Sequence, residues 1–354
     1  MKHDALGHNS GISNGGFTNS DIGNSGVSRR AFLAGAAAAA SLATSRRGVM
    51  AAPQDSTAKI AITLDLEMSR HYPRRGMLEW DYQKGNLDEP TKDYSVRAAE
   101  LVRERGGVIH FFCVARVLEQ PDVGWLKSIS EAGHPVGNHT YDHVNVLAQT
   151  PEETQFRFRR SPWLVRGQAP ADIIRENIRI AAEALRDRAG IEACGFRTPG
   201  GFADGLSGRE DVQQMLLELG YPWVSSRYVR HLSGEPHVRP GEDVFADIVR
   251  AQQQSQPFVY PSGLIEIPMS PISDVTAFRS HFWKLGDFLT AIRRSVQWAI
   301  DHGGVFDFLC HPSCMVVEDP DFETVKLICD MVRDAGPRAE ICGLDRIAAS
   351  VTAG

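Results

Sequence analysis

Two histidines four residues apart, His139 and His143, stand in the run Gly137-Asn138-His139-Thr140-Tyr141-Asp142-His143. At this spacing both imidazoles fall on one face of a helical turn and can converge on a single metal ion. The preceding residues Pro135–Asn138 read as a strand, so the pair is expected at a strand's C-terminal end, where barrel enzymes assemble their sites. Acids at another strand end can complete the set. Thr63-Leu64-Asp65-Leu66-Glu67 ends an apolar run, and alternation turns Thr63, Asp65 and Glu67 to one face and both leucines to the other. Two histidines and a carboxylate such as Glu67 leave coordination positions open on Zn²⁺ or a similar ion, as catalysis requires. Such an ion lowers the pKa of a bound water to about 7 and polarises a carbonyl group.

Amide cleavage also needs a proton donor for the departing nitrogen. The apolar run Val305–Cys310 ends in His311-Pro312, which makes His311 the candidate general acid. Gly195-Phe196-Arg197-Thr198-Pro199-Gly200-Gly201 places Arg197 at a further strand end, ahead of a tight loop. Arg197 can orient Asp65 and hold it ionised, and a backbone N–H of the Pro199-Gly200-Gly201 loop can bind an oxyanion. A structural salt bridge and turn is an equally good reading of that segment. Trp80, with Tyr72, Tyr82, Asp81 and Asp88, lies in the long stretch 68–92, which either lines a cleft or packs as a loop. Trp80, Pro199 and Gly200 are thus the candidate substrate contacts.

The elements that must hold these residues alternate along the chain. Strands are expected at Ile60–Leu66, Val108–Val114, Pro135–Asn138, Ala193–Arg197, Trp223–Ser226, Leu264–Met269, Val305–Cys310 and Ala339–Ile341. Between them helices are expected at Tyr94–Arg105, Gly124–Ala132, Ala171–Arg188, Arg209–Leu219, Leu285–Asp301 and Phe322–Ala335, with glycine after many of their ends. Such alternation predicts an α/β fold with a parallel sheet under helices, and the number of units suits a barrel better than an open sheet. The stretches 68–92, 144–170 and 227–257 are long for plain loops and are expected to be functional or lid-like.

Residues 1–51 differ from the rest: a Gly/Ser/Asn-rich start expected to be disordered, then Ser28-Arg29-Arg30-Ala31-Phe32-Leu33 and an alanine-rich stretch. Charged start, weakly apolar middle and small-residue end describe a secretion signal of twin-arginine type, predicting an exported, periplasmic or secreted protein. The catalytic domain is then expected over residues 52–354. Five of the 38 basic and two of the 44 acidic residues precede it, leaving 33 against 42 and a formal charge of −9. An acidic domain without a basic stripe argues against nucleic-acid binding, and Arg157, Arg159 and Arg160 read as a solvated face. No apolar run is long enough for a confident membrane span in the mature form. The six cysteines show neither a CxxC pair nor zinc-finger spacing and leave disulfides unassigned, and the oligomeric state stays open.

Taken in order, these segments resemble the polysaccharide deacetylase family, the NodB-homology esterases of carbohydrate esterase family 4 type. The similarity runs from about Ile60 to Pro312. His139-Thr140-Tyr141-Asp142-His143, with Gly133-His134 and Gly137-Asn138 before it, is similar to the family's metal-binding histidine motif; Ile109–Val114 is similar to its second strand and Leu309-Cys310-His311-Pro312 to its last motif. The resemblance implies an incomplete or distorted (β/α)7 barrel. It implies Asp65 as general base, His139 and His143 as metal ligands, Arg197 as the base's partner and His311 as acid. Two departures bear on this. Leu66 and Glu67 follow Asp65 where adjacent aspartates are usual, so Asp65 and Glu67 can exchange roles. Trp223-Val224-Ser225-Ser226-Arg227 lacks the acidic pair that supports the histidine, leaving Asp307 and Asp274 as alternatives. The implied activity is hydrolysis of N-acetyl groups on a glycan with a divalent ion, most simply Zn²⁺. Cleavage of a small non-sugar amide is the second reading, and a silent glycan-binding scaffold the third.

Overall fold

Nine residues, Ala58–Leu66, form strand β1, and eight of them are buried. A strand hidden on both faces belongs at the centre of a parallel sheet. The computed structural model describes residues 57–69 and 84–352, all within the unit Met50–Gly354. Tyr72, Trp80, Tyr82 and the export segment expected at the N-terminus lie outside the described residues.

The other strands are β2 (Ile109–Cys113), β3 (Val136–Asn138), β4 (Phe196–Phe202), β5 (Trp223–Arg227), β6 (Phe258–Val259), β7 (Ile265–Glu266), β8 (Val305–Cys310) and β9 (Ala339–Ile341). Their order is β6-β7-β5-β4-β3-β2-β1-β8, with β9 paired to the first residues of β1. Every pairing is parallel except that of β6 with β7. The sheet curls into an incomplete (β/α) barrel. Among the described residues no ladder joins β7 to β8, and a single bond from Ser270 N–H to the Asp307 carbonyl, 2.9 Å, spans the opening.

Strand alternation builds the barrel interior in layers. Ala61, Phe112, Trp223, Ile265 and Ile267 form an apolar floor, closed by Leu344, Ile347 and Ala348 of the helix Leu344–Thr352. His110 shares this floor, stacked on Phe112, and accepts the Leu344 N–H at that helix's start. Burial pushes its pKa down to about 3, so the ring stays neutral. Two residues higher on each strand come Thr63, Ser225 and Asp307, and above these Asp65, Leu309 and finally Glu67 and His311. Ile62, Leu64 and Leu66 face the opposite way, into the main core with the helices Glu89–Glu104 and Leu285–His302.

Differences from the expected elements have local causes. The helix expected from Tyr94 begins at Glu89, because the Asp88 side chain accepts the Thr91 N–H at 3.0 Å and Pro90 is tolerated in a first turn. The stretch 227–257 is not plain loop. It holds the helix Glu242–Gln254, whose Val244, Phe245, Ile248 and Ala251 make a buried face. Pro199-Gly200-Gly201 is not a separate loop either, but lies within β4, whose register with β5 shifts between Arg197 and Phe202.

Gly195 has φ +78°, and a Cβ there would lie 1.9 Å from the Trp223 ring. Gly195→Ala is expected to lower stability by about 3 kcal/mol through overpacking and backbone strain combined. Urea unfolding measures this, and an unchanged midpoint would contradict the packing described.

Candidate active site

The C-terminal ends of β1, β3, β4, β5 and β8 and the chain after β7 surround one cavity of about 260 Å³. Asp65, Glu67, His139, His143, Thr198, Gly200 and His311 all line it. Of the other expected contacts, Pro199 is buried but does not line the cavity, whereas Thr198, Gly200 and Gly201 do, in the part of β4 where the register with β5 shifts and strand alternation no longer holds.

The histidine pair does not sit on a helical turn, as its spacing suggested. Residues 139–143 form an irregular loop in which Thr140 and His143 adopt left-handed backbone, φ 61° and 57°. Strain of that kind, of order 1 kcal/mol or more per residue, persists only where surroundings impose it. Here Asn138 Oδ1 accepts the Thr140 N–H, Thr140 Oγ1 accepts the Val144 N–H, and Asn177 engages both Tyr141 and Asp142. Asp142 pairs with Arg116 and Arg157, so Arg157 anchors this loop and is not part of a solvated basic face. The loop thereby delivers both rings toward β1.

Glu67, His139 and His143 each offer an atom within 4.8 Å of the others. Glu67 Oε2 lies 3.0 Å from His143 Nε2 and 3.8 Å from His139 Nε2. The His139 Nδ1–H donates to the Arg197 carbonyl at 2.9 Å, which leaves Nε2 as the lone-pair atom. Burial lowers the pKa of both histidines, that of His143 to about 4, so both rings are uncharged at neutral pH. Burial opposes ionisation of Glu67, yet its close approach to His143, Lys84 and His311 holds its carboxyl well below the usual range. Oε2 is buried without a hydrogen-bond partner. An orphaned carboxylate oxygen facing two imidazole lone pairs fits a divalent cation of zinc type.

Sequence reasoning missed Lys84. Its ammonium donates to Glu67 Oε1 and lies 3.3 Å from His143 Nε2. No spacing or motif marks it, because the Met68 N–H to Lys84 carbonyl bond that brings it in crosses the long segment after β1.

Arg197 is fully buried. Its Nη1 donates to Thr63 Oγ1 at 2.7 Å and Asp65 Oδ1 at 3.0 Å, and its Nη2 to Asp307 Oδ2 at 2.5 Å. Ser225 Oγ accepts from Nε and Nη2, and the guanidinium lies 4.3 Å over the Phe112 ring. Burial raises the Asp307 pKa to about 6 despite this contact. Asp65 keeps Oδ2 toward the cavity, 3.7 Å from His139 Nε2.

Asp307 therefore serves Arg197, and it is Asp274 that holds His311. The His311 Nδ1–H donates to both Asp274 oxygens, at 3.0 and 3.1 Å, while Nε2 faces Glu67 Oε1 at 3.3 Å. Burial disfavours the imidazolium, but the Asp274 charge and hydrogen bond outweigh it and raise the pKa to about 9. Cys310 and Cys314 beside His311 are buried free thiols, and the other four cysteines are free as well. Lys84, Tyr228, Met269, Val275, Arg279 and Leu309 complete the cavity.

Residues 77–224 match the model of the family described as polysaccharide deacetylase. No curated protein matches the chain. Among solved structures, a protein from Mycobacterium smegmatis assigned as a polysaccharide deacetylase is 17% identical, with TM-score 0.56 over 85% of this chain and 92% of that one. Puue allantoinase is 14% identical, with TM-score 0.56 and the same coverage of both chains. The family match over residues 77–224 and the shared fold support a NodB-homology domain of polysaccharide deacetylase type.

If the cluster binds a metal ion, replacing His139 and replacing Lys84 should act on that binding in opposite directions. His139→Ala is expected to weaken Zn²⁺ binding by roughly a hundredfold and Lys84→Met to strengthen it, both read by isothermal titration. Weaker binding in Lys84→Met would show that the lysine supports the ion instead of competing with it.

Proposed function

We propose that this protein is a divalent-metal-dependent hydrolase of carbon–nitrogen bonds that removes N-acetyl groups from a glycan. The observation that carries the reading is the convergence of three assemblies on one cavity: Asp65 held by Arg197, the Glu67–His139–His143 cluster, and His311 held by Asp274. The family match supports it independently.

Glu67, His139 and His143 would hold the ion, which when bound supplies Lewis acidity toward the amide carbonyl and lowers the pKa of water. Zn²⁺ is the ion that the mixed imidazole and carboxylate donor set favours. Asp65, fixed through Oδ1 by Arg197, uses Oδ2 to take a proton from the attacking water. The hydroxyl adds to the carbonyl carbon, and the carbon–nitrogen bond then breaks as His311 protonates the nitrogen. Acetate and a free amine leave. His311 starts this cycle charged, because its pKa of about 9 keeps it protonated at neutral pH. The twin-arginine-like segment supports action outside the cytoplasm.

A small non-sugar amide is the second reading, favoured by a cavity of only about 260 Å³, just below the usual range for small-ligand sites. Acetate release from acetylated oligosaccharides supports the first reading, and opening of cyclic or linear amides supports the second. On whichever substrate is turned over, Asp65→Asn and His311→Ala should each cut kcat by roughly 10²–10⁴. Full activity in either variant would sink the mechanism.

The pH profile follows from the sign of the His311 shift. The acid is competent below a pKa of about 9 and is lost as pH rises through that value. Asp274→Asn removes the group that raises it, so the alkaline limb of kcat should move to lower pH. An unmoved limb would assign that limb to another group.

A further inference from the structure

Arg279 has no function in the reaction above, yet it lines the same cavity. It belongs to the turn Val275–Ser280, which begins one residue after Asp274, and Val275 lines the cavity four residues before it. Tyr228 pins this turn through Ser273 Oγ at 2.9 Å and Thr276 Oγ1 at 3.0 Å. Arg279 Nε is buried and has no hydrogen-bond partner. A desolvated guanidinium N–H left without a partner is costly, so one that lines a cavity invites a partner from outside.

Among the described residues no hydrogen bond or ion pair joins the cavity's own acids to Arg279. Asp65 is engaged by Arg197, Glu67 by Lys84 and the histidines, and Asp274 by both its oxygens with His311. The cavity also has apolar lining from Met269, Val275 and Leu309, and Tyr228 is among its walls. A half-buried planar fork of donors lining a cavity favours a carboxylate, which it can bind bidentately. Its position beside the His311 side of the cavity puts that carboxylate next to the departing nitrogen.

We propose that Arg279 forms an anion subsite and that the substrate is an acylated amine bearing a carboxylate close to the amide cleaved. This rests on the amide-hydrolase reading for the reaction, but the subsite itself can be tested by binding. Two matched pairs serve as probes: 2-acetamido-2-deoxyglucuronic acid against N-acetylglucosamine, and N-acetyl-β-alanine against its amide. Isothermal titration gives affinities, and acetate release gives kcat/KM, for the wild-type protein, Arg279→Lys and Arg279→Met.

In the wild type the acid of at least one pair should be preferred roughly tenfold or more over its neutral partner. The preference should shrink in Arg279→Lys and fall to about one in Arg279→Met. Which pair responds tells a sugar acid from a small linear one. Equal handling of acid and neutral in the wild type, or a preference that survives in Arg279→Met, overturns the subsite. Acid-selective binding without acetate release from any probe overturns the hydrolase reading for these amides and leaves the subsite standing. Turnover without selectivity does the reverse.

Discussion

One buried cation organises the interior of this barrel. The Arg197 guanidinium is sealed from solvent and touches Asp65, Asp307, Thr63 and Ser225, side chains from three other strands. Its own backbone carbonyl receives the His139 ring. Burying a charge is expensive unless every donor finds a partner, and breaking such a network by removing one member is typically worse than never having built it. The same residue therefore aims a carboxylate with its side chain and an imidazole with its main chain. Orientation of Asp65 and orientation of His139 are not independent properties of this protein.

That network is possible because the barrel interior changes character with height. At the floor, Phe112 and Trp223 pack against the C-terminal helix, and two residues up the strands the inward positions turn polar. A period of two residues per rung is all the code required. On β8 it reads Val305, Asp307, Leu309 and then His311: floor, charge network, cavity wall and site. On β1 it reads Ala61, Thr63, Asp65 and Glu67. The apolar floor below and the aromatic ring under the guanidinium keep water away from the ion pairs, which strengthens them and fixes their geometry.

Alternation is also why much of the site was legible in the sequence. Asp65, Glu67, Arg197 and His311 lie on or just past strands, where a period of two assigns a face without knowledge of the tertiary fold. The histidine motif was legible as a pair but not in its geometry, since left-handed backbone at Thr140 and His143 depends on Asn138 and Asn177. Asp274 and Lys84 were of another kind. Each sits on irregular chain whose position is decided by contacts distant in sequence, and Asp274 could be named only as one of two candidates. The helix Glu242–Gln254 was missed for a different reason: its apolar face at 244, 245, 248 and 251 follows the helical period, but an Arg- and Pro-rich approach obscured its start.

The opening in the sheet between β7 and β8, crossed by one main-chain bond from Ser270, divides the catalytic centre into two inheritances. Asp65, the cluster and the guanidinium hub come from the continuous β1–β4 side, where any shift in one strand is felt by its neighbours through a ladder. His311's partner and Arg279 come from chain that enters at the gap, tied down chiefly by Tyr228. Lengthening or re-sequencing that entering turn need not disturb the hydrogen-bonded strands beside it. The gap thus sets the partner of His311 and the proposed anion-binding Arg279 on chain that can be re-sequenced with little effect on the strands holding Asp65, the Glu67–His139–His143 cluster and Arg197.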